Sequence, residues 1–195
     1  MPRTANESIH SYVSDMHALE NHIGKALNGQ ISDFQKSHPA VARALRDMHH
    51  TTERHALALE QLEDMHDAGS RLDIADFIKR AATTAAGVGA AAFDMVRSEK
   101  LPKNLRDDYT AFSLATIGYV MLFTTARALN EERVASLAES HLRDYTGMVK
   151  TLTDLIPATV VELLREDGNA VDESVLHGVE DVVNKAWQHG GTTTV

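Results

Sequence analysis

The sequence of 195 residues contains no cysteine. Disulfides, cysteine-ligated zinc, iron–sulfur clusters and thiol catalysis are therefore excluded. Proline is scarce, with four residues, and aromatic residues make up only 5% of the chain. Set against abundant alanine, leucine, glutamate and histidine, these shortages favour helices over strands.

The chain also lacks an excess of basic residues and a long apolar segment. Lys plus Arg number 19 against 28 Asp plus Glu, and the net charge is −9, so we expect no nucleic-acid partner. The longest uncharged run, 109–126, is short for a membrane span and contains several Ser and Thr residues. The N-terminus shows no signal-peptide pattern. We therefore predict a cytoplasmic protein without a membrane span.

Helical periodicity runs through almost the whole sequence, and no alternating strand pattern is longer than a few residues. The capping box Thr4-x-x-Glu7 predicts a first helix over 5–35, and Pro39 predicts the start of a second that ends near 67. Further helices are predicted over 72–98, which is rich in small residues, over 105–129 after a turn at Pro102, and over 131–156, ending at Pro157. Shorter helices should cover 158–166 and 172–189.

This pattern predicts an all-α, ferritin-like antiparallel four-helix bundle with a lateral connecting helix at 72–98. We interpret 1–195 as a single domain, since no linker is long enough to divide it. The bundle should occupy about 5–156, followed by a C-terminal helical extension over 157–189 and a loose tail over 190–195.

Three predicted helices present apolar stripes that are interrupted by polar residues near their midpoints. The stripe positions are Ile9, Val13, Met16, Glu20, Ile23, Leu27, Ile31 and Phe34 in the first helix; Val41, Leu45, Met48, Thr52, His55, Leu59 and Leu62 in the second; and Val134, Leu137, His141, Asp144 or Tyr145, Met148, Leu152 and Leu155 in the helix over 131–156. The interrupting residues are Glu20, His55, His141 and Asp144, and they could lie at one level inside the bundle. A buried carboxylate costs free energy unless it is paired or ligates a metal. Two interpretations follow: a polar cluster in which Glu20 bonds to histidine, or a site for one Fe, Mn or Zn ion.

The predicted fourth helix limits this site. A carboxylate-bridged dinuclear centre needs a glutamate from each of two helices and Glu-x-x-His from each of the other two. Residues 109–126 include no Asp, Glu or His, and we expect this helix to turn Leu114, Ile117, Gly118 and Met121 toward the core. Oxidase chemistry on two metals is therefore not expected.

Other histidines suggest a weaker alternative. The pairs Glu7/His10 and Glu63/His66 have the Glu-x-x-His spacing and could meet near one end of the bundle. His49 and His50 should flank the core stripe and face solvent.

Two segments resemble a known family. The residues SDMHALENHIGKAL (14–27) and TTERHALALE (51–60) are similar to the first two helices of ferritin-like stress-response proteins of the YciE/YciF type. The resemblance, over about 12–155, implies a ferritin-like bundle that is often dimeric and carries a carboxylate dimetal site.

The resemblance assigns only part of that site. It implies that Glu20 is the first-helix ligand and His55 the second-helix histidine. The other ligand positions depart from the family, with Thr51 or Thr52, Ile117 or Gly118, and Ser140 or His141 followed by Asp144. The site is thus a degenerate dimetal site.

We therefore expect a stress-related protein without enzymatic activity, a binding or structural module, with no cofactor or with one divalent metal ion. The alternative is a metalloenzyme or metal-binding protein whose single ion is held by Glu20, His55, His141 and Asp144. An apolar-ligand carrier is a third possibility. The apolar 105–129 helix and the small-residue 72–98 helix also predict a homodimer.

Overall fold

The computed structural model describes residues 4–66 and 100–190 of the chain. Over these residues the fold is all-α, as predicted. The helices are α1 (Ala5–Phe34), α2 (Pro39–His66), α3 (Lys100–Ala128), α4 (Glu132–Glu166) and α5 (Val175–Gly190). The predicted connecting helix at 72–98 and the tail from 191 lie outside the described residues.

Two helical hairpins build the bundle. α1 packs along α2, α3 packs along α4, and the hairpins meet through α1 against α3 and α2 against α4. Thr4 caps α1 as predicted: its Oγ1 accepts from the backbone N–H of Glu7 at 3.2 Å, and the Glu7 carboxylate accepts from the Thr4 N–H at 2.7 Å. The turn from α3 to α4 places Asn130 at a φ of +60°, a conformation that asparagine tolerates better than most residues.

The predicted stripes of α1 and α2 form the core. Every α2 position in the stripe is buried, and in α1 only Ile31 is partly buried. In α4 the buried positions are Val134, His141, Tyr145, Met148 and Leu152, while Leu137 and Leu155 are partly buried.

Two prolines lie inside helices, where a turn and a helix end were predicted. Pro102 is helical, within α3. Pro157 does not end α4, which continues to Glu166. The last turns of α4 remain helical because they pack at the end of the bundle, where Thr159 is buried and Leu163 lines a small cavity with Phe34. The predicted break between 156 and 158 is therefore wrong.

The face that α3 turns inward also differs from prediction. Its buried residues are Leu101, Leu105, Asp108, Phe112, Ala115, Tyr119, Leu122 and Ala126. Leu114, Ile117 and Met121, which we expected in the core, are 61%, 58% and 46% exposed. A helix that is apolar on both faces offers no polar boundary from which to orient it.

The same helix has the length and composition of a membrane span. Within Leu101–Ala128, the most apolar 18-residue window has a mean hydropathy of 1.3, and 28% of that window is buried. Among the described residues, no other helix meets this criterion. The inward face of α3 carries Asp108 and Tyr119, both of which bond to polar residues of α1.

Asp108 is a buried acid at the α1–α3 contact. Gln30 Nε2 donates to its Oδ1 at 2.7 Å, while Asp108 Oδ2 and Gln30 Oε1 are buried acceptors without a hydrogen-bond partner. A proton on Oδ2 would give the Gln30 carbonyl a donor. Burial raises the pKa of Asp108 from 3.8 to about 7, with the neighbouring Asp107 carboxylate as a smaller cause.

This arrangement predicts a pH-dependent stability. The folded-state pKa lies above the unfolded one, so the stability from protonated Asp108 is complete below about pH 4 and is lost as the pH rises toward 7. Asp108→Asn supplies a permanent donor to Gln30 and should remove the loss. Its unfolding free energy relative to wild type should rise by about 2–4 kcal/mol from pH 4 to pH 8. Urea unfolding at both pH values checks this, and a difference that stays constant with pH contradicts it.

Candidate metal centre

Three of the four predicted site residues converge inside the bundle. Glu20 of α1, His55 of α2 and His141 of α4 are buried, with exposures of 1%, 2% and 6%. One potential ligand atom from each lies within 4.8 Å of the others. The fourth residue, Asp144, is only partly buried and contacts His55. Helical periodicity was therefore sufficient to place Glu20, His55 and His141 at one level of the core.

Glu20 is the centre of a hydrogen-bond network. Its Oε1 accepts from Tyr119 Oη at 2.5 Å and lies 3.1 Å from His55 Nδ1. Its Oε2 accepts from Tyr145 Oη at 2.6 Å. Three side chains from three other helices therefore stabilise one buried carboxylate, which has no access to solvent.

His55 connects this carboxylate to the surface. Its Nδ1 faces Glu20, and its Nε2 lies 3.0 Å from Asp144 Oδ2. The Asp144 side chain is 41% exposed, and its carboxylate is 3.9 Å from the Arg54 guanidinium. An imidazole between two carboxylates is fixed in orientation by both.

His141 completes the cluster by stacking on His55, with ring centroids 3.7 Å apart and planes inclined by 18°. Burial, together with the smaller effects of the neighbouring His55 and Arg54, lowers the pKa of His141 to about 3. His141 is therefore neutral near pH 7. Its Nδ1 lies 3.0 Å from Tyr119 Oη. Because that hydroxyl donates to Glu20, Nδ1–H must be the donor to Tyr119, which leaves the lone pair on Nε2.

The two tyrosines are the functional residues that the sequence reasoning underweighted. Burial and the adjacent Glu20 carboxylate raise the pKa of both Tyr119 and Tyr145, so both phenols stay protonated and donate. Tyr145 was an alternative to Asp144 in the α4 stripe, whereas Tyr119 was not considered. The spacing of Phe112, Ala115, Tyr119 and Leu122 could have identified this face of α3.

The second predicted site, from two Glu-x-x-His pairs, takes another form. Glu63 Oε2 lies 2.7 Å from His17 Nδ1, so Glu63 pairs with a histidine outside both motifs. His10 is buried in α1. The His66 side chain lies outside the described residues. His50 is exposed as predicted, while His49 is more shielded, with 16% of its side chain accessible.

The central cluster fits a single metal ion by its donor set. Two imidazoles and a carboxylate are ligands for Fe, Mn or Zn. The 3.1 Å between Glu20 Oε1 and His55 Nδ1 is close to the spacing of two ligands that share an ion at about 2.1 Å from each. α3 contributes a phenol here and no carboxylate, so a second ion lacks a bridging ligand.

The comparisons with known proteins identify a family and a fold. The profile of the family described as "Domain of unknown function (DUF892)" matches residues 4–165. The chain is similar to a crystal structure of a protein from Xanthomonas campestris, with a TM-score of 0.67 and 18% sequence identity. The alignment covers 85% of this chain and 99% of the other. No curated protein matches significantly.

Proposed function

We propose that this chain, which belongs to the DUF892 family, is a ferritin-like protein that binds one divalent Fe, Mn or Zn ion in its bundle core. The observation that carries the proposal is the buried cluster of Glu20, His55 and His141. The helices α1, α2 and α4 each contribute one potential ligand to the same region of the core. Glutamate and histidine side chains are rarely buried in an apolar core unless they bind a polar partner or a metal.

The residues divide into ligands and a positioning group. Glu20, His55 and His141 would hold the ion. Asp144 lies on the other nitrogen of His55, at 3.0 Å from Nε2, and in our proposal it orients that ring and does not bind the ion. Metal-bound histidines usually donate their second N–H to a carboxylate or carbonyl in this way. Tyr119 and Tyr145 would keep the Glu20 carboxylate in place.

The bound ion would serve as a structural or stored group, because α3 provides a phenol and no carboxylate that could bridge a second ion for oxygen chemistry. The resemblance of residues 14–27 and 51–60 to YciE/YciF-type proteins supports a stress-related role, and we propose a cytoplasmic location. We therefore propose a non-enzymatic binding module.

A second candidate is a metal-free structural module. Both oxygens of the Glu20 carboxylate already have hydrogen-bond partners, so the buried charge is stabilised without an ion. In this alternative the network fixes how the four helices pack, and Glu20, His55 and His141 hold no metal.

Metal content distinguishes the two candidates. Wild-type protein dialysed against Mn(II) or Zn(II) and then desalted should keep one ion that resists brief washing, as measured by elemental analysis. Glu20→Gln and His141→Leu should lose it, and the surface control Glu139→Gln should keep it. Wild type with no more metal than Glu20→Gln would leave the metal-free module as the function.

Oxygen chemistry offers a separate prediction. The protein should not catalyse rapid oxidation of Fe(II), because a ferroxidase shares electrons between two metals and α3 provides Tyr119 where a second bridging carboxylate would be needed. Stopped-flow absorbance with Fe(II) and oxygen, compared with a protein-free blank, measures this. Rapid oxidation that disappears in Glu20→Ala would contradict it.

The outward face of α3 supports our expectation of a homodimer. Leu114, Ile117, Val120 and Met121 form an exposed apolar stripe, and contiguous patches of this kind mark interaction surfaces. Leu114→Lys should convert the dimer to a monomer, because a buried interface does not tolerate an unpaired charge. Light scattering at micromolar concentration measures the mass. Leu57→Lys is the matched control, since Leu57 is 56% exposed on α2. A monomeric wild type would contradict the expectation.

A further inference from the structure

The Glu20 carboxylate has no direct contact with solvent, so an ion can reach the core only through the protein. A cleft of about 170 Å³ lies between α1 and α2, and Glu20 is among the residues that line it. Asn21, Gly24 and Lys25 form the α1 side of this cleft. The α2 side consists of His49, Thr52, Glu53 and Ala56.

A second group of potential ligands stands at this cleft. His49, His50 and Glu53 bring two imidazoles and a carboxylate together, with ligand atoms within 4.8 Å of one another. Glu53 Oε2 is 3.5 Å from His49 Nδ1 and 3.3 Å from His50 Nδ1. One helical turn separates His49 from Glu53, the spacing at which two side chains on a helix can hold one ion.

The exposure of this group differs from that of the core cluster. His50 and Glu53 are 65% and 59% exposed, whereas the His49 side chain is 16% exposed and lines the cleft. An ion bound here keeps water ligands and exchanges with solvent. His49 and Glu53 therefore belong both to the solvent-accessible ligand group and to the lining of the cleft that Glu20 also lines.

We propose that His49, His50 and Glu53 form an entry site that captures a hydrated divalent transition-metal ion and delivers it through the α1–α2 cleft to the core. The delivery step rests on the metal-binding function proposed above; the surface site does not. Among the described residues that line the cleft, Lys25 is the one Lys or Arg, and its charge opposes passage of the ion.

Gly24 of α1 and Thr52 of α2 both line the cleft. A β-carbon at this position would be 3.3 Å from Thr52 Oγ1, closer than ordinary van der Waals contact. Thr52 cannot easily move its hydroxyl, which donates to the His49 carbonyl oxygen at 2.8 Å. A larger residue at 24 would therefore narrow the route and leave both ligand groups unchanged.

Co(II) is a suitable probe because its visible absorption reports binding to nitrogen and oxygen ligands. Metal-free wild type should bind two Co(II) per chain, a weaker and a tighter one. His49→Asn/His50→Asn should lose the weakly bound ion. It should still bind the tightly bound ion at equilibrium, but the core site should take up that ion several-fold more slowly than in the wild type. Gly24→Ala should keep both ions and also slow the filling. His177→Asn, which removes an exposed histidine of α5, is the control and should match wild type.

The outcomes separate the two proposals. Wild type that binds only the weaker ion, lost in His49→Asn/His50→Asn, supports the surface site and refutes the core metal and with it the delivery step. If the core site takes up Co(II) at the wild-type rate in both His49→Asn/His50→Asn and Gly24→Ala, the entry role is refuted and the core site stands. Unchanged stoichiometry in His49→Asn/His50→Asn refutes the surface site itself.

Discussion

Glu20→Leu should lower the free energy of unfolding by about 3–5 kcal/mol, the usual cost of removing one partner from a buried, charged hydrogen-bond network. The change leaves the hydroxyls of Tyr119 and Tyr145 and the Nδ1 of His55 without their shared acceptor. Both phenols are fully buried and cannot turn to water. Each stranded donor costs about 1–3 kcal/mol, so the total effect should be large.

The same network predicts that the loss can be recovered without restoring Glu20. Replacing a whole buried polar set by apolar residues of similar volume is often neutral or stabilising. A combined variant should therefore be much more stable than Glu20→Leu alone. Its changes are Glu20→Leu, His55→Leu, His141→Leu, Tyr119→Phe and Tyr145→Phe.

Chemical unfolding in the presence of a chelator measures these differences, with the chelator removing any contribution from bound metal. Glu60→Leu is the control, since Glu60 is exposed on α2, and it should change stability little. A neutral Glu20→Leu would contradict the network. A combined variant as unstable as the single one would show that its members contribute independently, by packing.

The sequence predicted the site residues where polar side chains interrupt an otherwise apolar stripe. In α1 and α2 the stripes contrast with charged outer faces, so Glu20 and His55 could be placed inside from periodicity alone. α3 offers no such contrast. Its outer face carries Leu114 and Ile117, and the orientation that buries Tyr119 is set by contacts with other helices.

The sequence also failed to predict the continuation of α4 past Pro157 and the burial of Asp108, and tertiary contacts explain both. A proline removes one hydrogen bond and favours a helix end, but packing of Thr159 and Leu163 against the end of the bundle outweighs that local preference. Asp108 lies on the inward face of α3, yet its burial depends on Gln30, 78 residues away in the chain. Tertiary contacts decide both cases, and single-sequence periodicity does not include them.

Mn(II) or Zn(II) should raise the melting temperature of the wild type. At a free metal concentration 100 times the dissociation constant, binding to the folded state alone adds about 2.7 kcal/mol. For a chain of this size, each kcal/mol shifts the midpoint by about 2–4 °C, so we expect an increase of roughly 5–10 °C. The triple variant Glu20→Leu, His55→Leu, His141→Leu should not shift, because it lacks all three ligands.

The surface histidines require their own control in this experiment. His49→Asn/His50→Asn should keep most of the increase, since a weak exposed site adds little to the stability of the folded state, whereas the buried cluster links three helices that separate on unfolding. An excess of EDTA should reverse the wild-type shift. If the shift persists in the triple variant and disappears in His49→Asn/His50→Asn, the stabilising ion lies on the surface of α2. If neither metal changes the midpoint of the wild type, Glu20 is held by its hydrogen bonds alone, and the core is a metal-free polar network.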